Sequence, residues 1–122
     1  MNEQPGPAAE EPAPMSGFPF GPQFFQQVLP DRVRAACDGH PEHVPVVEFH
    51  LADGTTLDVC HVPAIEPVWF AAEVFRDRET CEDMDMVFVP YSVVIRVTVS
   101  LRHRSQRPAG FELPSEIREV SS

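Results

Sequence analysis

Between Val44 and Leu101 apolar and polar side chains alternate in short runs separated by turn residues, the two-residue period of strands with one face buried. The first run, Val44 to Leu51, sets Val47, Phe49 and Leu51 against Glu48 and His50. Ala52-Asp53-Gly54 follows, and a three-residue hairpin loop favours a left-handed last residue, which Gly54 supplies. A second strand, Thr55 to Val62, then pairs Leu51 with Thr55, Phe49 with Leu57 and Val47 with Val59, the register that gathers the apolar residues on one face. The same register sets Glu48 opposite Asp58, a like-charge pair expected to point to water. Pro63 and Pro67 bracket a break. A third strand, Val68 to Phe75, is apolar on both faces apart from Glu73, as expected of a central, doubly covered strand. Arg76 to Asp85 reads as a polar, acidic connection. A fourth strand, Met86 to Val89, stops at Pro90-Tyr91-Ser92. A fifth, Val93 to Leu101, sets Val93, Ile95, Val97, Val99 and Leu101 against Val94, Arg96, Thr98, Ser100 and Arg102.

Ahead of the strands, Phe24, Phe25, Val28 and Leu29 share one face of a helix, Pro22 suits a first helical turn, and Gly39 is a stop signal. Pro30 interrupts, so one or two short helices are expected between 22 and 37. Residues 1–16 carry Pro, Gln and Glu without apolar periodicity and read as a disordered, Pro-rich tail. The packed domain is expected over 17–104, followed by a C-terminal tail, 105–122, either a short helix or an extended docking segment. The fold class is mainly β (α+β): a small antiparallel five-stranded barrel or strongly bent sheet, SH3-like or Sm-like, with a short N-terminal helix.

Leu51-x-x-Gly54-x-x-Leu57, and the valine-rich strand broken at Pro90-Tyr91-Ser92 before Val93-Val94-Ile95-Arg96-Val97, resemble the Sm-like family over residues 22–101. The resemblance implies a helix capping the barrel, a short turn joining strands four and five, and edges that pair between subunits into rings. The RNA-contacting Asp-x-x-x-Asn stretch of that family has no counterpart between Ile65 and Phe70. Pro90-Tyr91 replaces its basic pair before the last strand.

Composition narrows the function. The 122 residues carry a net charge of −10, with nine Arg and no Lys. That balance argues against phosphate-backbone binding and fits a freely soluble protein or one that docks a basic partner. Charge is also split: residues 43–85 hold ten acids against Arg76 and Arg78, whereas residues 86–122 hold five Arg against three Glu. Three cysteines at irregular spacing do not read as a disulfide framework, and no secretory signal or membrane-length apolar run is visible. A reducing, cytoplasmic, bacterium-like setting is expected.

Candidate chemistry is sparse. Cys37, His40 and His43 place three possible zinc ligands within seven residues, and Cys60-His61 could add more, at a spacing that matches no finger or ribbon. Asp77 to Asp85 lacks the calcium-loop pattern. As nucleophile and base, adjacent Cys60 and His61 on a strand point to opposite faces and so cannot act on one another. No catalytic motif, cofactor loop or metal signature is present, so no cofactor is expected. The expectation is a non-enzymatic interaction or self-assembling module, a homo-oligomer or one that docks a protein partner, using Phe18, Phe20, Phe24 and Phe25 and the basic set Arg96, Arg102 and Arg104. The alternatives are an Sm-like RNA-associated protein and an acidic decoy that mimics nucleic acid.

Overall fold

The computed structural model describes residues 17–113, so the Pro-rich stretch 1–16 and the end of the expected tail lie outside it. One helix precedes a five-stranded antiparallel sheet: β1 His43–Leu51, β2 Thr56–Ile65, β3 Trp69–Phe75, β4 Met84–Pro90 and β5 Val94–His103, in spatial order β4-β3-β2-β1-β5. The sheet is open. β4 and β5 are its two edges and are joined by a 3-10 turn, Tyr91–Val93, so the closure of a barrel is not part of this arrangement.

The helix runs unbroken through Pro30. A π-helical turn, Phe24–Val28, feeds directly into α1, Leu29–Cys37, which carries Pro30 in its first turn. The Leu29 N–H reaches back to the Phe24 carbonyl. Pro30 has no N–H to give, and its ring would strike the carbonyl one α-turn back; the wider π-turn relieves that clash without ending the helix.

Phe25, Leu29 and Val33 form the buried stripe of this helix and meet Val47, Phe49, Val59, Phe70, Ala72, Val74, Val89 and Val94 on the inner face of the sheet. The Phe25 ring lies 5.2 Å from Phe49, 4.7 Å from Phe70 and 5.8 Å from Tyr91. Each such fully buried side chain contributes on the order of 1.5–3 kcal/mol. Tyr91 is buried because its ring joins this cluster while its hydroxyl donates to the Glu66 carbonyl at 2.7 Å; burial raises its pKa.

The hairpin register is the expected one: Val47 faces Val59, Glu48 faces Asp58, and Phe49 faces Leu57. The turn closes through Leu51 N–H to Thr55 O, with Gly54 at φ 93°. Two expectations fail at bulges. β2 continues past Pro63 to Ile65, because Pro63 falls where pairing with β3 is irregular and its missing N–H leaves no ladder bond unmade. On β5 the register shifts against His50 and Leu51, so Val94 turns inward at 4% exposure and Ile95 outward at 59%. β4 also begins earlier than expected, at Met84.

The outer face is partly covered by the segment after β5, a strap over 104–113. The Phe111 N–H bonds to Pro45 O at 2.8 Å and the Glu112 N–H to Cys60 O at 2.7 Å. Phe111 is buried and joins the core. The packed domain therefore extends through 113 rather than ending at 104, and residues 111–113 are not helical. Gly110 is required there: a Cβ would stand 2.1 Å from the Pro45 carbonyl oxygen.

Candidate functional site

The strap organises the charges on the outer face. Arg107 lies over the Phe75 ring, 5.1 Å from its centroid, and makes two 2.8 Å bonds to the Asp58 carboxylate, while its Nε donates to Ala109 O. Both side chains are buried. Burial works against the Arg107 charge, but the paired Asp58 more than restores it and raises the pKa. Arg78, from the β3–β4 loop, bonds to Glu48 at 2.6 Å and lies 3.4 Å from Asp58. The Glu48–Asp58 pair expected to face water is instead bridged by Arg78, with Arg107 on Asp58 alone, and Asp58 is 5% exposed. Like charges one strand apart are tolerated because cations are inserted between them. With Glu48 and Asp58 so paired, the acids of the hairpin do not offer a bare phosphate-like row.

Beside this network the β2 bulge sets two residues of β2 against Glu73 of β3. Cys60, His61 and Glu73 present a thiol sulfur, an imidazole nitrogen and a carboxylate oxygen all within 4.8 Å of one another. The expectation that Cys60 and His61 point apart holds for a regular strand and fails at the irregularity. Burial, reinforced by Glu112 and Glu73, pushes the Cys60 thiol up to about 12, so at neutral pH it is protonated and is not a nucleophile.

The three residues first singled out as ligand types fall elsewhere. His40 and His43 stack edge to face at 5.6 Å and His43 and His103 at 5.4 Å. Cys37 lines a shallow apolar groove of about 840 Å³ between α1 and the strap, with Val33, Pro45, Phe111 and Leu113. Burial raises the Cys37 thiol pKa, against the lowering effect of Arg104. Among the described residues, the only cluster of three gathered donors is the one at Cys60.

The aromatic set turns inward. Phe25 is buried at 4%, and Phe18, Phe20 and Phe24 pack partly buried against the same core, Phe18 on Tyr91 and Phe20 on Phe24. These rings stabilise the chain's own interior, which withdraws Phe25 from any docking surface. Of the basic set, Arg96 and Arg102 stand exposed on the β5 edge with no acid partner among the described residues, and Arg104 donates to Pro41 O.

The exposed apolar surface lies at the other edge. Met84, Met86 and Phe88 of β4 point outward, Phe88 at 66% exposure, with Trp69 edge-on to Phe88 at 5.7 Å. The strict alternation Met84-x-Met86-x-Phe88 was available in the sequence but was hidden by assigning Met84 and Asp85 to the acidic loop. Of the Cys60 cluster the sequence offered Cys60 and His61 as ligand types but not Glu73, since period two denies the contact that the bulge creates.

These features define an open antiparallel β domain with one packed helix, two unpaired edges and a small mixed-donor cluster. Comparison with family models, with curated proteins and with solved structures finds no match to this chain. Among the described residues no helix is long and apolar enough to cross a membrane.

Proposed function

We propose that this chain is a non-enzymatic module that self-assembles edge to edge, β4 of one copy pairing antiparallel with β5 of the next. The observation that carries this reading is the complementarity of the two edges. β4 offers Met84, Met86 and Phe88 after an acidic approach, Glu79, Glu82 and Asp83. β5 offers exposed Ile95 near its start and Arg96 and Arg102 along it. Antiparallel docking brings the acidic beginning of β4 to the basic end of β5 and the apolar side chains of each edge towards those of the other. Unpaired N–H and C=O groups on both edges supply the ladder. The resemblance to the Sm-like family supports the same arrangement, because that family's subunits join by these edges, and an N-terminal helix and a short turn between β4 and β5 support the reading. Barrel curvature belongs to this proposal too.

Because the two edges differ, the contact is heterologous and propagates into a ring or a filament. Light scattering over a concentration series should show mass rising with protein and falling with salt. Phe88→Lys and Ile95→Lys should each give folded species that stop assembling, and their mixture should give a dimer through the one intact pair of edges. A monomer at every concentration and salt ends this reading.

A further inference from the structure

We propose that Cys60, His61 and Glu73 form a divalent-metal site of the zinc class that clips β2 to β3 at the bulge. The site is independent of edge pairing. Its donors are a sulfur, an imidazole nitrogen and a carboxylate oxygen, all within 4.8 Å of one another. That mixture suits zinc and its borderline neighbours and does not suit calcium or magnesium, which take oxygen ligands.

Zinc holds nitrogen and carboxylate oxygen at about 2.0–2.2 Å, so two such donors on a tetrahedral ion stand about 3.3 Å apart. His61 Nδ1 and Glu73 Oε1 are 3.3 Å apart. They are within ion-pair reach, yet they are not aligned for a hydrogen bond: Nδ1 is buried and has no hydrogen-bond partner. A buried ring nitrogen left unpaired is costly, and an ion lying between the two groups resolves it, with the imidazole proton on Nε2. The strap brings Glu112 to the same strand through its bond to Cys60 O. The fourth position goes to water. As the sulfur–metal bond forms the S–H bond breaks, and one proton leaves to solvent per ion bound.

The test is cobalt and zinc titration of the full chain after stripping with a chelator. Expected are one equivalent of bound cobalt, the visible bands of a tetrahedral ion, a near-ultraviolet thiolate-to-cobalt charge-transfer band, and displacement of all of these by zinc. Cys60→Ser should lose the charge-transfer band. His61→Ala and Glu73→Gln, at half-exposed positions less prone to unfold the chain, should each weaken binding by more than the roughly 10–100-fold typical of losing an outer-shell partner. Cys37→Ser and Cys81→Ser should bind as the parent does. Circular dichroism identifies any variant that unfolds. No charge-transfer band in the parent chain at millimolar cobalt, a band that survives in folded Cys60→Ser, or affinity unchanged in both His61→Ala and Glu73→Gln would each overturn the assignment.

Discussion

In the β1–β2 hairpin, Leu51 N–H bonds to Thr55 O four positions away; in the strap, Arg107 reaches Asp58 across 49. The hairpin is specified locally. Its alternation, its Gly54 turn and its register all agree, and a slip of one position would turn Phe49 and Val47 out to water. The strap has no periodicity. It is held by particular groups that meet only when the sheet is complete: a guanidinium for a buried carboxylate, a glycine against the Pro45 carbonyl, and two backbone bonds. The hairpin therefore rests on its repeating inner face and its turn, whereas the strap depends on single atoms.

The largest effect should come from the inner face of the hairpin. Phe49→Ala empties the centre of the aromatic cluster and should cost about 3–5 kcal/mol in denaturant unfolding. Arg107→Ala leaves Asp58 buried without its main partner and should cost about 3 kcal/mol, with Arg78 screening part of the loss. The double variant Arg107→Met with Asp58→Leu should recover most of that loss, because it removes the stranded charge. If the double variant is no better than the single, the strap is held by packing rather than by the pair. Gly110→Ala should cost about 2 kcal/mol through the collision with Pro45. Gly54→Ala forces an L-residue into the turn and should cost about 1 kcal/mol. If Gly54→Ala proved worse than Gly110→Ala, the contrast between the two regions would be reversed.

The smallest effect should appear in acid. Thr55 N–H holds the Asp53 carboxyl below its usual range, and Arg76 does the same for Asp85. Their stabilisation is therefore complete above about pH 4 and fades as pH falls through the depressed values. Asp53 is exposed and Asp85 half-exposed, so Arg76→Ala should lower the melting temperature above about pH 4 only slightly, and the gap from the parent should close as acid protonates Asp85.

Strand number, the β1–β2 pairing and the doubly covered third strand were legible because burial repeats every second residue there: Val47 and Phe49 lie inside, and Phe70 to Phe75 is flanked on both sides. What was not legible turns on breaks in that period. Ile95 and Val94 exchange faces at one bulge, and Cys60 and His61 come together at another. Pro63 read as a stop because a proline in a regular ladder is one. Pro30 read as a helix break because the compensating π-turn leaves no mark in residue type. Asp58 read as solvated because Arg107 lies far along the chain, where only the fold brings it close. The Phe18 to Phe25 rings could be read as packing on the sheet or as a docking surface, because aromatic density alone does not say whether its partner is another chain or the chain's own sheet.

The strap also sets an order of events at the ribosome. Residues 107–113 emerge after every strand has been made, so a nascent chain can build its hairpin and meander while the Asp58 carboxylate still waits for its cation and Cys60 still has no cover from Glu112. Completion of the outer face is thus a late, long-separation step, and contacts of that kind slow a small β protein more than any local turn does.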